Sequence, residues 1–305
     1  MSDFIKRVVV LLGGNSLERD VSLVSGQECA KAISGSGYEV FKVDTRGDFI
    51  KELEKLKPDV VFNALHGRLG EDGAIQGVLE MLKLPYTHSG ILASSVAMNK
   101  DRAKTIFRDS GLPVTDHLIL KKDLKIEEIP FPFPYVLKPI SGGSSLDVHI
   151  LSSKDDWLKN SILGTERASN FMVEPFIPGR ELTVTIMGNK ALAVTDILSD
   201  NWYDYDAKYE SGGSRHILPA SIPQDITELC FSYALAAHNS LGCRGVSRID
   251  LRWNEKLHRD GLFILELNTQ PGMTPTSLVP EQAKYVGIAF EKLCTWLIND
   301  ASCDR

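Results

Sequence analysis

The sequence predicts a mixed α/β and α+β chain: an N-terminal doubly wound parallel sheet, then two α+β units. Three observations predict it. Up to about residue 97, short β-branched runs alternate with segments carrying apolar residues at helical spacing, the order of a parallel sheet with helices on both faces. Beyond that point, strand pairs are joined by Gly-rich or polar loops and the helices are set apart. The chain has 305 residues, enough for about two domains, or three small ones, at roughly 150 residues each. The expected segments are 1–96 (N-terminal α/β), 97–180 (central) and 181–305 (C-terminal), the last with a lid loop over 199–214.

Each element has its own warrant. The run from Arg7 to Leu12 suits a strand buried on both faces. A helix over Asp20 to Ile33 follows from Val21, Val24, Ala30 and Ile33. Strands over Tyr38–Val43 and Pro58–Asn63 then alternate with helices over Asp48–Leu56 and Ala74–Leu82. In such a sheet, ligands sit beyond the carboxyl ends of the strands, here Gly13-Gly14-Asn15-Ser16 and Ala64-Leu65-His66-Gly67. A helix from Asn99 to Ser110 stops at Gly111-Leu112-Pro113. Pro130 to Pro134 is a rigid approach to a strand at Tyr135–Lys138, with Leu146–Leu151 as its hairpin partner. A helix at Ser153–Leu163 and a strand at Phe171–Glu174 complete the central unit. The last segment has strands at Glu181–Ile186 and Lys190–Ile197, a polar aromatic loop over Ser199–Ser214, and a helix at Pro223–Leu241. An antiparallel pair, Gly245–Trp253 and Gly261–Asn268, precedes a final helix at Ile288–Ile298.

Composition narrows the function. Acidic residues outnumber basic ones by 40 to 34, for a net charge of −6, which argues against a nucleic-acid partner. No apolar run approaches a membrane span, and the start lacks the long apolar stretch of a secretion signal. Five Cys, at 29, 230, 243, 294 and 303, are odd in number and show no Cys-x-x-Cys spacing, against a disulfide framework or structural zinc. The expectation is a cytoplasmic protein with reduced thiols and no membrane partner.

Five constellations carry possible chemistry. Arg248-Ile249-Asp250 and Glu266-Leu267-Asn268 each place two polar residues on one strand face. Paired face to face, they gather two carboxylates, an amide oxygen and a guanidinium. Oxygen-only donors suit Mg²⁺ with nucleotide phosphates, and the Arg suits a developing oxyanion; the alternative is a surface of ordinary ion pairs. Lys138-Pro139 before Gly142-Gly143-Ser144-Ser145 reads as a phosphate cradle or as a plain hairpin turn. No Walker segment and no Gly-x-Gly-x-x-Gly after the first strand is present, against those two nucleotide-binding classes. His66, among Gly67, Gly70, Gly73, Glu71 and Asp72, reads as a ligand-edge loop or as a structural histidine. Glu18 sits near a helix start, where it complements the helix dipole or anchors a ligand ammonium. Trp202 to Tyr209, followed by Gly212-Gly213, reads as a lid that excludes water and brings Lys208, or as a solvated loop.

Eight segments in register resemble the D-alanine–D-alanine ligases of the ATP-grasp superfamily: GGNSLERDVS (13–22), LHGRLGEDG (65–73), MNKDRAK (98–104), KPISGGSS (138–145), EPFIPGRELTV (174–184), YDYDAKY (203–209), GCRGVSRID (242–250) and LELNTQPGMTPTSL (265–278). The resemblance implies an ATP-grasp fold with the nucleotide between the central and C-terminal units. It implies that ATP activates one D-alanine as an acyl phosphate and a second D-alanine attacks it, for peptidoglycan precursor synthesis. Lys100 and Lys138 would reach the phosphates; Glu174, Phe176 and Ile177 would line the adenine pocket; Glu181 would bind the ribose; Lys208 would contact the γ-phosphate. Ser144 and Ser145 fall in the phosphate loop. Asp250, Glu266 and Asn268 would hold two Mg²⁺ (or Mn²⁺) ions. Glu18 would pair with the first ammonium, and His66 would sit nearby. Arg248 and the Gly272 N–H would stabilise the tetrahedral intermediate, and Ser277 and Leu278 would hold the second carboxylate. Tyr209, Ser144 and Glu18 would link to keep the lid shut. The family is often homodimeric.

The chain departs from that pattern at Ile140-Ser141-Gly142-Gly143, where relatives often carry Ser-Arg-Glu-Gly, and at Thr276, near which relatives often have a His. Ligases that use D-lactate typically replace the lid tyrosine, so Tyr209 favours the dipeptide; D-serine is a nearer alternative. A non-catalytic nucleotide sensor is the reading from another class. It is opposed by the intact set Arg248, Asp250, Glu266 and Asn268, costly convergent charges that a sensor does not need.

Overall fold

A computed structural model of the chain describes residues 6–121, 124–143, 147–198 and 215–303. Arg7–Leu12 (β1) is the middle strand of a parallel sheet, between Glu39–Asp44 (β2) and Val60–Asn63 (β3), in the order β2-β1-β3. Val8 to Leu11 are fully buried because both faces of the strand are covered. Val8 and Val10 enter one apolar cluster; Val9 and Leu11 enter another, with Leu53, Leu79 and Tyr86. The helices Arg19–Gly35 (α1), Phe49–Leu56 (α2) and Ala74–Leu82 (α3) belong to this unit. The first face is closed by α1 together with the last helix, Phe290–Asp300, through Leu293, Cys294, Leu297 and Ile298.

Two short helices follow, Ile91–Met98 (α4) and Lys100–Asp109 (α5). The second opens with Asn99, whose side chain accepts from Arg102 N at 3.1 Å. The four-stranded sheet of the central segment has the order β4-β7-β5-β6, from Leu118–Ile119 (β4), Tyr135–Pro139 (β5), His149–Leu151 (β6) and Phe171–Pro175 (β7). The expected helix over Ser153–Leu163 is shorter, Lys154–Lys159 (α6). Asn160 ends it by taking the Ile162 N–H on its side chain at 3.0 Å, a local bond that competes with helix continuation.

The third sheet is antiparallel, with the order β10-β9-β8-β11-β12. Its strands are Arg180–Met187 (β8), Lys190–Leu198 (β9), Arg215–Ile217 (β10), Val246–Trp253 (β11) and Leu262–Asn268 (β12). Alternation along β11 is strict: Ile249, Leu251 and Trp253 enter the core, while Arg248, Asp250 and Arg252 take the opposite face. Gln224–Ser240 (α7) covers the core side, joined by residues of α4 and α5 such as Ala97 and Phe107. Leu278–Tyr285 (α8) and Phe290–Asp300 (α9) end the fold. No described helix is long and apolar enough to cross a membrane.

Candidate active site

The polar face of the third sheet and the second sheet form the walls of a cleft. It is lined by Lys100, Lys138, Glu174, Phe176, Ile177, Glu181, Asp250 and Glu266, eight of the residues singled out above. The strand pairing that the first constellation required is present. Arg248 stands opposite Asn268, and Asp250 opposite Glu266. The register shifts after Asp250, so Leu265 has no partner on β11. Core positions on β12 accordingly run Leu262, Ile264, Leu267, and both Leu265 and Glu266 reach the cleft.

Charges in the cleft are paired rather than scattered. Arg248 forks onto Asp250, Nε donating to Oδ1 at 2.9 Å and Nη2 to Oδ2 at 2.7 Å. The Thr183 hydroxyl, on the next strand, donates to the same Oδ1 at 2.6 Å. Lys100 Nζ lies 3.2 Å from Glu266 Oε2 and donates to Gly142 O at 2.6 Å, tying α5 to the Gly-rich loop. Arg252 Nη1 meets Glu181 Oε2 at 3.3 Å, its Nε donates to Ile177 O at 3.2 Å, and its guanidinium lies 5.5 Å from the Phe176 ring centre.

At the back, Glu174 is buried between two lysines. Lys138 Nζ lies 2.5 Å from Oε1; Lys104 and the Thr115 hydroxyl (2.7 Å) both donate to Oε2. Burial pushes the Glu174 carboxyl up, but the two lysines outweigh it and hold it at about 2. Lys104 goes the other way from its ordinary value, down to about 8, because burial and the second cation, Lys138, oppose its charge more than Glu174 supports it. Sequence reasoning missed Lys104 and Arg252. Spacing held the signal: Lys104 is one turn after Lys100, and Arg252 continues the alternation Arg248, Asp250.

The other candidates gather around the N-terminal sheet. Glu18 immediately precedes α1, yet its side chain does not cap the helix. Its carboxylate turns toward Gly67 and Gly143. Gly67 has φ +71°, and a Cβ there would stand 2.6 Å from Glu18 Oε2, so the close approach needs glycine. His66 is buried with both ring nitrogens engaged: Nδ1 is 3.1 Å from Glu71 Oε1, and Nε2 is 3.2 Å from Ser25 Oγ. Gly272 packs against Ser277, whose hydroxyl is held by Thr274 N at 3.0 Å and Thr274 Oγ1 at 2.7 Å. Leu278 opens α8 and is buried. Ser144, Ser145, Lys208, Tyr209 and the 199–214 loop lie outside the described residues.

A cleft roofed by one antiparallel sheet and floored by another, beside a parallel N-terminal sheet, is the arrangement of ATP-grasp ligases. The model of the D-ala D-ala ligase C-terminus matches residues 106–299, and that of the D-ala D-ala ligase N-terminus matches residues 42–89. A D-alanine–D-alanine ligase of Ruegeria sp. (strain TM1040) is 55% identical over 305 residues, covering 100% of this chain and 99% of the relative. That of Ruegeria pomeroyi is 53% identical over 300 residues, covering 98% and 97%. Among solved structures, the Bacillus anthracis D-alanine–D-alanine ligase superposes with a TM-score of 0.85 at 32% identity, covering 97% of each chain. Its complex with ATP gives 0.84 at 31%, covering 98% of this chain and 97% of that one. The chain belongs to the D-alanine–D-alanine ligase family.

Proposed function

We propose that this ligase joins two D-alanine molecules at the expense of ATP, for peptidoglycan precursor synthesis in the cytoplasm. The observation that carries the reading is the cleft that gathers Lys100, Lys138, Glu181, Asp250 and Glu266 in a chain 55% identical to a D-alanine–D-alanine ligase. One sheet in each of the segments 1–96, 97–180 and 181–305 supports a three-domain division, with β8 starting one residue early.

A carboxylate is a poor acyl donor until its oxygen is phosphorylated. In this reading Lys100 and Lys138 take the phosphates, with Ser144, Ser145 and Lys208 completing the cradle. Phe176, Ile177 and Glu174 bound the base, and Glu181 takes the ribose. Support comes from the cleft that Lys100, Lys138, Glu174, Phe176, Ile177 and Glu181 share and from the ATP complex of the Bacillus anthracis relative. Glu18 holds the ammonium of the first D-alanine beside His66. The second D-alanine, held through Ser277 and Leu278, attacks the acyl phosphate with its neutral amine. Arg248 and the Gly272 N–H meet the oxyanion that develops there, and phosphate leaves. Tyr209, Ser144 and Glu18 shut the lid against water, which would otherwise hydrolyse the acyl phosphate.

Two Mg²⁺ (or Mn²⁺) ions belong to the same reading, and the donor set fits them. Asp250 and Glu266 are direct cross-strand neighbours, so two carboxylates, paired with Arg248 and Lys100, face the cleft side by side. With Asn268 they offer oxygen donors only. Among the described residues no group of three or more His, Cys, Asp or Glu side chains is placed to hold a metal ion, so the proposed set relies on Asn268 as its third donor. Bound there, the metal would neutralise phosphate charge during transfer. A homodimer rests on the family resemblance and is checked by sedimentation.

The deciding experiment measures phosphate release from ATP and Mg²⁺ with D-alanine, L-alanine or no amino acid, with product mass determined and D-lactate and D-serine offered as second substrates. Release that requires D-alanine and yields the dipeptide is expected. Nucleotide binding without turnover on any of these substrates overturns the reading.

A further inference from the structure

The Gly272 amide lies in a segment, 269–277, with no helix or strand of its own. Irregular backbone is normally exposed, yet Thr269, Gln270 and Met273 are buried. The segment is held from the N-terminal unit, by β3 and by α1, at two points that flank Pro271 and Gly272. On one side, Gln270 exchanges two hydrogen bonds with Asn63 at the end of β3: its amide nitrogen donates to the Asn63 carbonyl, and Asn63 Nδ2 donates to Gln270 Oε1 at 3.3 Å. Asn63 is itself fixed, donating to Gly70 O at 3.0 Å and accepting from Leu65 N at 3.1 Å. On the other side, Met273 N donates to Ser25 Oγ of α1 at 3.3 Å; that hydroxyl lies 3.2 Å from His66 Nε2, and the imidazole is held in turn by Glu71 through Nδ1.

We propose that Gln270 and Ser25 are positioning residues for the reaction: β3 and α1 of the N-terminal unit grip the loop on both sides of Gly272 and so fix where its N–H points. The inference rests on the ligase reading above. An oxyanion donor acts only within a few tenths of an ångström of its working place, about 2.7–3.1 Å from the oxygen, and a displacement of about 1 Å costs on the order of 10²-fold. A loop without regular structure does not supply that accuracy alone. Buried amide and hydroxyl bonds to β3 and to the helix packed on its sheet do. Gln270 has a second connection, since its backbone N–H donates to Asn268 Oδ1 at 2.8 Å and thereby orients a proposed metal ligand.

The test compares full-length wild type with Gln270→Met and Ser25→Ala. Gln270→Met keeps length and removes both bonds to Asn63. Ser25→Ala removes a single hydroxyl. Three quantities are read: kcat and KM for ATP and D-alanine, inhibition by a phosphinate dipeptide whose tetrahedral phosphorus mimics the adduct, and melting temperature. Expected is a loss of about 10-fold in kcat in each variant, with an equal loss of phosphinate affinity, while KM for ATP stays within about twofold. Variants that melt earlier but keep wild-type kcat and phosphinate affinity overturn the proposal and leave a structural seam. Should Gln270→Met fail to fold, Ser25→Ala decides alone. A wild type that makes no dipeptide overturns the ligase reading instead, so the two failures are distinct.

Discussion

Glu266 and Glu174 are both acidic residues of one cleft, and their surroundings make opposite predictions for them. Glu266 lies at the edge of the cleft beside Lys100, partly reachable by solvent. Removing its charge relieves the cross-strand repulsion with Asp250 and gives up the ion pair with Lys100, two opposing effects, so Glu266→Gln should keep the fold while nearly abolishing turnover. Near-normal turnover in that variant would remove it from the proposed metal set. Glu174 is sealed between Lys104 and Lys138, and replacing it leaves two buried cations without their counter-ion. Glu174→Gln should lose about 3–5 kcal/mol of stability by denaturant titration at pH 7. The pH dependence follows from the depressed carboxyl. Its folded pKa of about 2 lies below the ordinary 4.5, so its contribution is present above pH 4.5 and is lost as pH falls toward 2. Wild type should therefore weaken over that window by roughly 3 kcal/mol from this group, and Glu174→Gln should show a shallower slope. Lys104 acts on the alkaline side. Its folded pKa of about 8 lies below 10.5, so the unfolded chain binds more protons between these values and the Lys104 contribution to stability rises with pH there.

At the scale of elements, β11 and β12 were the most legible part of the chain. Their i, i+2 alternation placed Arg248 and Asp250, and then Glu266 and Asn268, on one face before any register was known, and the pairing agrees. The bulge that brings Leu265 into the cleft was not legible, because it is a property of two strands together. Strands β4 and β10 are two and three residues long, too short to show a period, and α4 reads ILASSVAM with little amphipathic contrast. Ser25, Asn63 and Gln270 were missed for a related reason. Each is an ordinary polar residue in its own segment and acquires a role only through contacts across 207 or 248 positions of sequence. The last helix offers an element-scale prediction. Leu297 is fully buried against the N-terminal sheet and α1, so Leu297→Ala should cost about 2–5 kcal/mol by thermal or denaturant unfolding. Amides of β1 and β3 should then exchange hydrogen faster, although neither strand is changed; unaltered exchange there would show that α9 does not support the sheet.

For the whole molecule, the cleft belongs to neither of the two antiparallel sheets alone. Lys138 and Glu174 come from one, and Glu181, Asp250 and Glu266 from the other. A non-hydrolysable ATP analogue should therefore slow hydrogen exchange in β5 and β7 and in β11 and β12 together, with β2 unaffected. Protection confined to one sheet would place the nucleotide on one wall only. The shared core of β1 and α9 bears on how the chain is made. Val8 and Leu293 sit in one apolar cluster although 285 positions separate them in sequence. A ribosome adding about 5–20 residues per second needs roughly 14–57 seconds to cross that interval. For that time the part of this face that α9 will cover lacks its apolar partner, and the nascent chain offers it to whatever shields such surfaces in the cell. The N-terminal third can begin to fold early, but its native core closes only after the last helix has been synthesised.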